Sequence, residues 1–180
     1  MKNFVKLFLV VVVAGISVSA FAQAPKFAHI NFQELVVLMP ESDSATVKLE
    51  AFAKELQDQI EGMQKELQNK FEIYQRQQAT WTASVLEAKQ KELQDLNQRM
   101  EEFRQIAQQD YQREQQDLML PILEKARNTI TTVAKRENVI YVFDVSTGAL
   151  AYFDEKQSID LLPMVKKELN ITKELPRPVR

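Results

Sequence analysis

The side chains that most often perform catalysis or bind metal are scarce in this chain. It has no cysteine and a single histidine, His29, which excludes thiolate nucleophiles, disulfides and histidine-rich metal sites. Its glycines, Gly15, Gly62 and Gly148, are too far apart to form a phosphate-binding loop. We therefore expect no enzyme activity, no catalytic or metal-binding residues and no cofactor.

Carboxylates are abundant, but their spacing follows the surface of a helix. Glu50 precedes Lys54 by four residues, and Glu61 precedes Lys65 by the same step. This spacing places opposite charges side by side on a helix, where each pair adds a slight stabilisation. The carboxylates are therefore predicted to line solvated helices and not to form an acid–base pair.

The chain is therefore expected to act through non-covalent contacts, and its helices and strands determine where the contacting residues lie. Residues 26–31 predict a short strand. Asn31, followed by Glu34, predicts the N-cap of a helix over 33–39, which Pro40 ends. Two serines are candidate caps for the next helix, Ser42 and Ser44.

Two apolar seams follow, with steps that alternate between four and three residues. This heptad pattern is typical of a helix packed lengthwise on another helix. The first seam misses one step at Lys70 and contains Leu49, Ala53, Leu56, Ile60, Met63, Leu67 and Tyr74. The second seam contains Leu86, Leu93, Leu96, Met100, Phe103 and Ala107.

The two seams predict an antiparallel hairpin with a defined register. Facing residues in such a hairpin have numbers with a constant sum, and a sum of 163 pairs Met63 with Met100 and Leu67 with Leu96. The centre of symmetry lies between Trp81 and Thr82.

A cap signal places the turn of the hairpin in the same region. Ser84 with Glu87 predicts a capping box, so that the second helix begins at Val85. An arm over 41–78 would be on the order of 55 Å long. Such an element is too long for a compact domain of this size and must project from it.

The C-terminal part changes from helical to strand-like periodicity. Pro121 predicts a kink or break in the returning helix. Residues 139–144 predict a strand buried on both faces, and 149–153 predict a second strand that forms a hairpin with it. Asp160 is a candidate cap for a last helix that ends near Leu169.

The first residues predict export. Lys2 and Lys6 precede an apolar run over 7–18, and Ala20 and Ala22 are the small residues of a signal-peptidase site. Cleavage after Ala22 would leave 21 basic against 25 acidic residues, a net charge of −4. An acidic chain of this kind is not expected to bind nucleic acid.

These elements give an α+β fold, mostly α, with a long antiparallel helical hairpin on a small β-containing oligomerisation body. The predicted parts are a signal peptide at 1–22, a body at 23–40 and 119–172, an arm at 41–118 with its tip near 79–84, and a loose tail at 173–180. The residues predicted to contact other polypeptides lie near the tip, and we call them the client-binding residues: Phe71, Tyr74, Trp81 and Leu86. The predicted oligomer interface comprises Ile30, Val142, Phe143 and Tyr152, because one short hairpin sheet cannot hide their apolar surface.

The layout resembles that of the OmpH family of periplasmic chaperones. The resemblance covers about residues 26–170 and lies mainly in Phe27-Ala28-His29-Ile30-Asn31 and in the segment from Val133 to Tyr152. It implies a homotrimer in the periplasm, whose three arms hold unfolded outer-membrane proteins without ATP. The family's best-known member is strongly basic, whereas this chain has a calculated pI near 5.6.

The sequence therefore favours an ATP-independent holdase chaperone whose partners are unfolded outer-membrane proteins and other copies of this chain. The membrane surface is a further candidate partner. The alternative is a structural or adaptor spacer of the cell envelope, because a spacer would also use a long helical hairpin. Only the family resemblance favours the holdase over the spacer.

Overall fold

The structure is a computed structural model that describes residues 25–174. The predicted signal peptide, residues 1–22, and positions 175–180 of the predicted tail lie outside the described residues. The elements in chain order are β1 (Lys26–Ile30), α1 (Phe32–Leu38), α2 (Pro40–Gln77), a 3₁₀ turn (Gln78–Thr80), α3 (Ala83–Arg136), β2 (Val139–Asp144), β3 (Ile159–Asp160) and α4 (Leu162–Glu168). The fold is therefore mostly helical with a small sheet, as the sequence predicted.

At the starts of α1 and α2, one predicted helix cap is confirmed and two others are wrong. The Asn31 side chain accepts a hydrogen bond from the backbone N–H of Glu34 at 2.9 Å, so the predicted N-cap of α1 is confirmed. The prediction that Ser42 or Ser44 caps α2 is wrong, because α2 begins at Pro40 without a side-chain cap. Proline is tolerated there because the first N–H groups of a helix have no partner within the helix.

Helices α2 and α3 form the predicted antiparallel arm. Their 38 and 54 residues correspond to lengths of about 57 and 81 Å. Leu96, Met100 and Ala107 are buried between the helices. Two cross-hairpin contacts, Lys70–Glu92 and Tyr74–Gln90, have numbers that sum to 162 and 164, close to the predicted 163.

The turn of the hairpin lies where the constant sum of residue numbers predicted it, but the N-cap of α3 comes two residues earlier than predicted. Thr82, and not Ser84, is the N-cap, and its side chain accepts a hydrogen bond from the N–H of Val85 at 3.5 Å. The reason is the 3₁₀ turn before it, which leaves Thr82 in extended backbone with φ −68° and ψ 160°. Helix α3 therefore begins at Ala83 and not at Val85.

Helix α3 continues through Pro121 into the body, so the predicted break is wrong. Pro121 lies on the exposed side of the helix, where losing one backbone hydrogen bond is least costly. The next turn is held by Ile122 and Ala126, which are both buried in the core of the body. Packing on the inner side therefore keeps the arm and body segments of α3 in one helix.

The sheet is parallel, with strand order β2-β1-β3. The predicted strand at 149–153 and its hairpin with β2 are wrong, because 149–153 has no regular structure. Strand β2 pairs instead with β1, whose other edge pairs with β3. After β2 the chain turns at Gly148, with φ +68°, and 149–153 continues without strand pairing, although the ring of Phe153 lies beside that of His29 in β1.

The body has one apolar core between the inner face of the sheet and the helices. Its buried residues are Ala28, Ile30, Leu35, Val36, Leu38, Met39, Ala45, Ile122, Ala126, Val133, Ala134, Leu161, Val165 and Ile171. They come from β1, from α1, from the base of α2, from the body segment of α3, and from α4 with the residues that flank these helices. The arm therefore depends on its own narrow seam for its stability.

The C-terminal helix and the start of the predicted tail are both tied to neighbouring residues. The Asp160 carboxylate accepts a hydrogen bond from the N–H of Leu162 at 2.9 Å at the start of α4, although Leu161 holds the N-cap position. Lys173, which was predicted to belong to a loose tail, forms an ion pair of 2.7 Å with Asp43 of α2. Over 25–174, the helices are too short or too polar to span a membrane.

Candidate functional site

The face of the sheet that points away from the helices carries a group of exposed aromatic side chains. We call Phe27, His29, Tyr141 and Phe143 the outer sheet face. Ring centroids lie 6.3 Å apart for Phe27–Tyr141, 6.5 Å for Phe27–Phe143 and 6.2 Å for Tyr141–Phe143. Tyr141 remains 61% exposed in the single chain. The prediction that β2 is buried on both faces is therefore wrong for the single chain.

The edge of β2 beside this aromatic group has no strand partner among the described residues. Strand β2 pairs with β1 on one side, with a register shift that leaves Ile140 as an extra residue. Such a bulge increases the local twist and leaves the extra residue unpaired. Ile140 is exposed, so apolar surface extends along the strand beyond the outer sheet face.

His29 belongs to the outer sheet face, but its ring contacts side chains of the segment that precedes β3. Its Nδ1 lies 2.9 Å from the Ser158 hydroxyl oxygen, and its ring lies 4.6 Å from that of Phe153. Over the described range 25–174, no group of three His, Asp or Glu side chains could hold a metal ion.

The residues of the predicted oligomer interface occupy different environments. Phe143 and Tyr152 are exposed, and Tyr152 is almost fully so. Ile30 lies inside the chain's own core, and Val142 packs against it, so neither offers free surface. Sequence reasoning missed Phe27 and Tyr141. The alternation of β1, in which Ala28 and Ile30 face inward, could have identified Phe27 as outward-facing.

Of the predicted client-binding residues, Phe71 presents the most apolar surface. It is 49% exposed and borders a groove of about 350 Å³ between the two arm helices. The groove is lined by Gln64, Leu67, Gln68, Phe71, Leu93 and Asn97. An apolar side chain of another polypeptide could enter this groove without displacing a charged group.

The other three predicted client-binding residues close the end of the arm. Tyr74 and Trp81 meet edge to face with ring centroids 5.8 Å apart. The Tyr74 hydroxyl also accepts a hydrogen bond from the side chain of Gln90 at 2.8 Å. Trp81 and Leu86 are half-buried. Exposed apolar arm residues that the sequence reasoning missed are Val47, Ile73, Val85 and Ile106.

A charged group replaces the apolar seam where the heptad pattern missed a step. Lys70 forms an ion pair across the hairpin with Glu92, which also accepts a hydrogen bond from Lys89 at 2.8 Å. Hydrogen bonds from Lys70 and then Lys89 lower the pKa of Glu92 to about 2. Glu92 therefore stays ionised at neutral pH and links the two helices near the tip.

The base of the arm is also held by ion pairs. Glu41 at the start of α2 pairs with Lys125 of α3, and the hydrogen bond from Lys125 lowers the pKa of Glu41. The pair borders a groove of about 490 Å³ that lies between the first turns of α2 and the Pro121 region of α3. With the Asp43–Lys173 pair, these contacts link the first turn of α2 to α3 and to the residues after α4.

Comparisons with known proteins agree with this layout. A family model described as "Outer membrane protein (OmpH-like)" matches residues 26–169. A crystal structure of a candidate outer membrane chaperone (OmpH-like) from Caulobacter crescentus CB15 superimposes with a TM-score of 0.70 at 14% sequence identity. The match covers 87% of this chain and 90% of the other, and shows a shared fold. A search of curated proteins gave no significant match.

Proposed function

The chain belongs to the OmpH family, and on that premise we propose that it is an ATP-independent holdase chaperone of the periplasm. In this proposal it binds unfolded outer-membrane proteins between coiled-coil arms and keeps them from aggregating. In this proposal the chain is exported, and its signal peptide is cleaved after Ala22. The proposal requires an arm surface that holds a client and a body that joins several arms.

The arm offers clients many weak contacts. Phe71, Val47 and Ile106 are exposed apolar side chains at well-separated positions along the two helices. Burying one such side chain contributes about 1.5–3 kcal/mol at most, so each single contact is weak. Several weak contacts would retain an unfolded chain and release it when a better acceptor binds it, with no need for a nucleotide.

The outer sheet face supports assembly of the body. Phe27, Tyr141 and Phe143 form a stacked aromatic group beside the open edge of β2. Exposed apolar groups next to an open strand edge are typical of an interface between chains. We propose that copies of this chain cover this face in a homotrimer, which would bring three arms around one cavity.

The observation that carries the proposal is the form of the arm. Helix α2, about 57 Å long, and the outer part of α3 form a two-helix projection whose apolar side chains remain partly exposed outside the body core. A spacer also needs length, but it gains nothing from apolar groups exposed to water along that length. The arm therefore favours the holdase.

A dilution assay tests the proposal. A urea-unfolded outer-membrane β-barrel protein is diluted into buffer with and without the purified chain, and light scattering records its aggregation. We expect the chain to suppress scattering at a stoichiometric ratio without ATP. A chain that assembles but leaves the scattering unchanged would support the spacer instead.

A further inference from the structure

We infer that the arm selects unfolded clients that carry net positive charge. This inference rests on the proposed holdase function and adds the chemical class of the client. It follows from the distribution of charge along the arm, from the carboxylates that lack a counter-ion, and from the apolar groups that lie among them.

Charge is divided unequally between two parts of the arm. We call residues 41–69 and 92–118 the shaft, and residues 70–91 the tip region. The shaft contains 14 acidic and 6 basic side chains, a balance of −8. The tip region contains 4 basic and 2 acidic side chains, a balance of +2. The acidic character of the arm therefore lies along its length and not at its end.

Half of the acidic side chains of the shaft form no ion pair within the described part of the chain. Internal pairs include Lys54–Asp58 at 2.6 Å and Arg104–Glu101 at 2.8 Å. The unpaired carboxylates are Glu50, Glu55, Glu61, Asp95, Glu102, Glu114 and Asp117, whereas the unpaired shaft cations are Lys48, Lys65 and Arg99. The excess negative charge therefore faces water and is available to a client.

Apolar contacts lie on the same surface. Val47 and Ile106 are exposed on the shaft, and the lining of the groove beside Phe71 includes Leu67 and Leu93 of the shaft. A polypeptide that carries aliphatic or aromatic side chains among lysines and arginines complements both features. Its apolar groups can bind the exposed side chains and the groove, while its cations approach the unpaired carboxylates. An acidic polypeptide would meet repulsion along the whole shaft.

The size of the preference depends on salt. Exposed charges interact across about 10 Å at 0.1 M ionic strength and across roughly 30 Å at 0.01 M. The arm should therefore separate cationic from anionic clients strongly in dilute buffer and weakly at high salt. Apolar contacts would retain both kinds of client when the charges are screened.

A matched pair of clients tests the inference. An outer-membrane β-barrel protein in which basic residues outnumber acidic ones is labelled with a fluorophore and kept unfolded in dilute urea. It is acetimidylated at its lysines, which keeps their charge, or succinylated, which reverses it. Fluorescence anisotropy gives the Kd of each form for the full-length assembled protein at 20 and 300 mM NaCl. We expect the acetimidylated form to bind at least ~10-fold more tightly at 20 mM, and the difference to shrink at 300 mM.

Variants assign the preference to the shaft. Replacing Glu50→Gln, Glu55→Gln and Asp95→Asn removes three unpaired carboxylates from exposed positions and should reduce the preference at 20 mM by at least threefold. The control replaces three exposed carboxylates outside the arm, Glu124→Gln, Glu155→Gln and Glu174→Gln, and should leave the preference unchanged.

The outcomes separate this inference from the proposed function. Equal binding of the two client forms at 20 mM, or tighter binding of the succinylated form, would overturn the charge preference and leave the holdase intact. An equal effect of the shaft and control variants would overturn the role of the shaft. Failure of the protein to bind either form at either salt concentration would instead overturn the holdase.

Discussion

Replacing Leu96 by alanine should destabilise the arm without disturbing the body. The Leu96 side chain is 2% exposed and lies in the seam between α2 and α3. The substitution removes about three methylene equivalents, or roughly 2.4 kcal/mol of apolar transfer free energy. A two-helix arm can close around the lost volume, so the cavity term should be small. We expect a loss of about 2–3 kcal/mol, at the low end for buried leucines.

Ile106→Ala is the matched control. Ile106 lies on the same helix ten residues away, but its side chain is 53% exposed. Its replacement removes the same amount of aliphatic side chain from a position that faces water. Alanine is also a better helix former than isoleucine by several tenths of a kcal/mol. The free energy of opening of the arm should therefore change by less than about 1 kcal/mol.

Amide hydrogen exchange measures the two effects separately in the arm and in the body. A loss of 2–3 kcal/mol corresponds to a decrease in protection of roughly 30- to 140-fold for arm amides in Leu96→Ala. Amides of β1 in the body should keep their protection in both variants. Equal losses of arm protection in Leu96→Ala and Ile106→Ala would refute the assignment of Leu96 to a buried seam.

Three further predictions address the register, the charged group near the tip and assembly. Cysteines introduced at Met63 and Met100 should form a cross-link within one chain. Cross-links between pairs of positions whose numbers add up to a value far from 163 would show that the register is wrong. Glu92 has a pKa of about 2 in the folded arm against the ordinary 4.5 of a glutamate, so its contribution to arm stability is present above pH 4.5 and is lost as pH falls towards 2. Glu92→Gln should remove the corresponding loss of amide hydrogen-exchange protection in the tip region at acid pH. A Glu92→Gln protein that loses protection over the same pH range as the unmodified chain would contradict the assignment of this loss to Glu92. In sedimentation, Tyr141→Lys should dissociate the oligomer into folded monomers. Val47→Lys is the control, because Val47 is exposed to a similar degree (65%, against 61% for Tyr141) but lies on the arm, and it should leave the oligomer intact. A Tyr141→Lys protein that stays assembled would exclude the outer sheet face as the interface.

The sequence was sufficient for the arm because the forces that form it are local and periodic. Leu96 and Met100 repeat at helical spacing, and their mirror relation to Met63 and Leu67 predicted both the turn and the register. The polar step at Lys70 was visible as a gap in the pattern. Its pairing with Glu92 follows from the same register, since their numbers sum to 162.

Local signals failed where two neighbouring choices satisfy the same rule. Thr82 and Ser84 are both good N-caps, and the 3₁₀ turn before Thr82 selected the first of them.

Pro121 predicted a kink or break because propensity alone disfavours proline in a helix. The burial of Ile122 and Ala126 in the body outweighed that preference.

The sheet could not be derived from the sequence because strand pairing is a non-local choice. Val139–Asp144 was recognised as a strand from its β-branched and aromatic residues, yet its partner is β1, more than a hundred residues earlier. The adjacent segment 149–153 was assigned as the partner because it is near in sequence. For the same reason, the outward direction of Tyr141 became visible only from the pairing of β2 with β1.

Deletion of the arms tests the central claim most directly. The variant lacks residues from about Gln64 to Arg99, with a short turn in their place, and keeps the body core and the outer sheet face. Sedimentation and suppression of outer-membrane protein aggregation are measured on this variant and on the full-length chain. We predict that the armless protein stays oligomeric and loses its protection of the client. An armless body that protects an unfolded outer-membrane protein as well as the full-length chain does would contradict the role proposed for the arms.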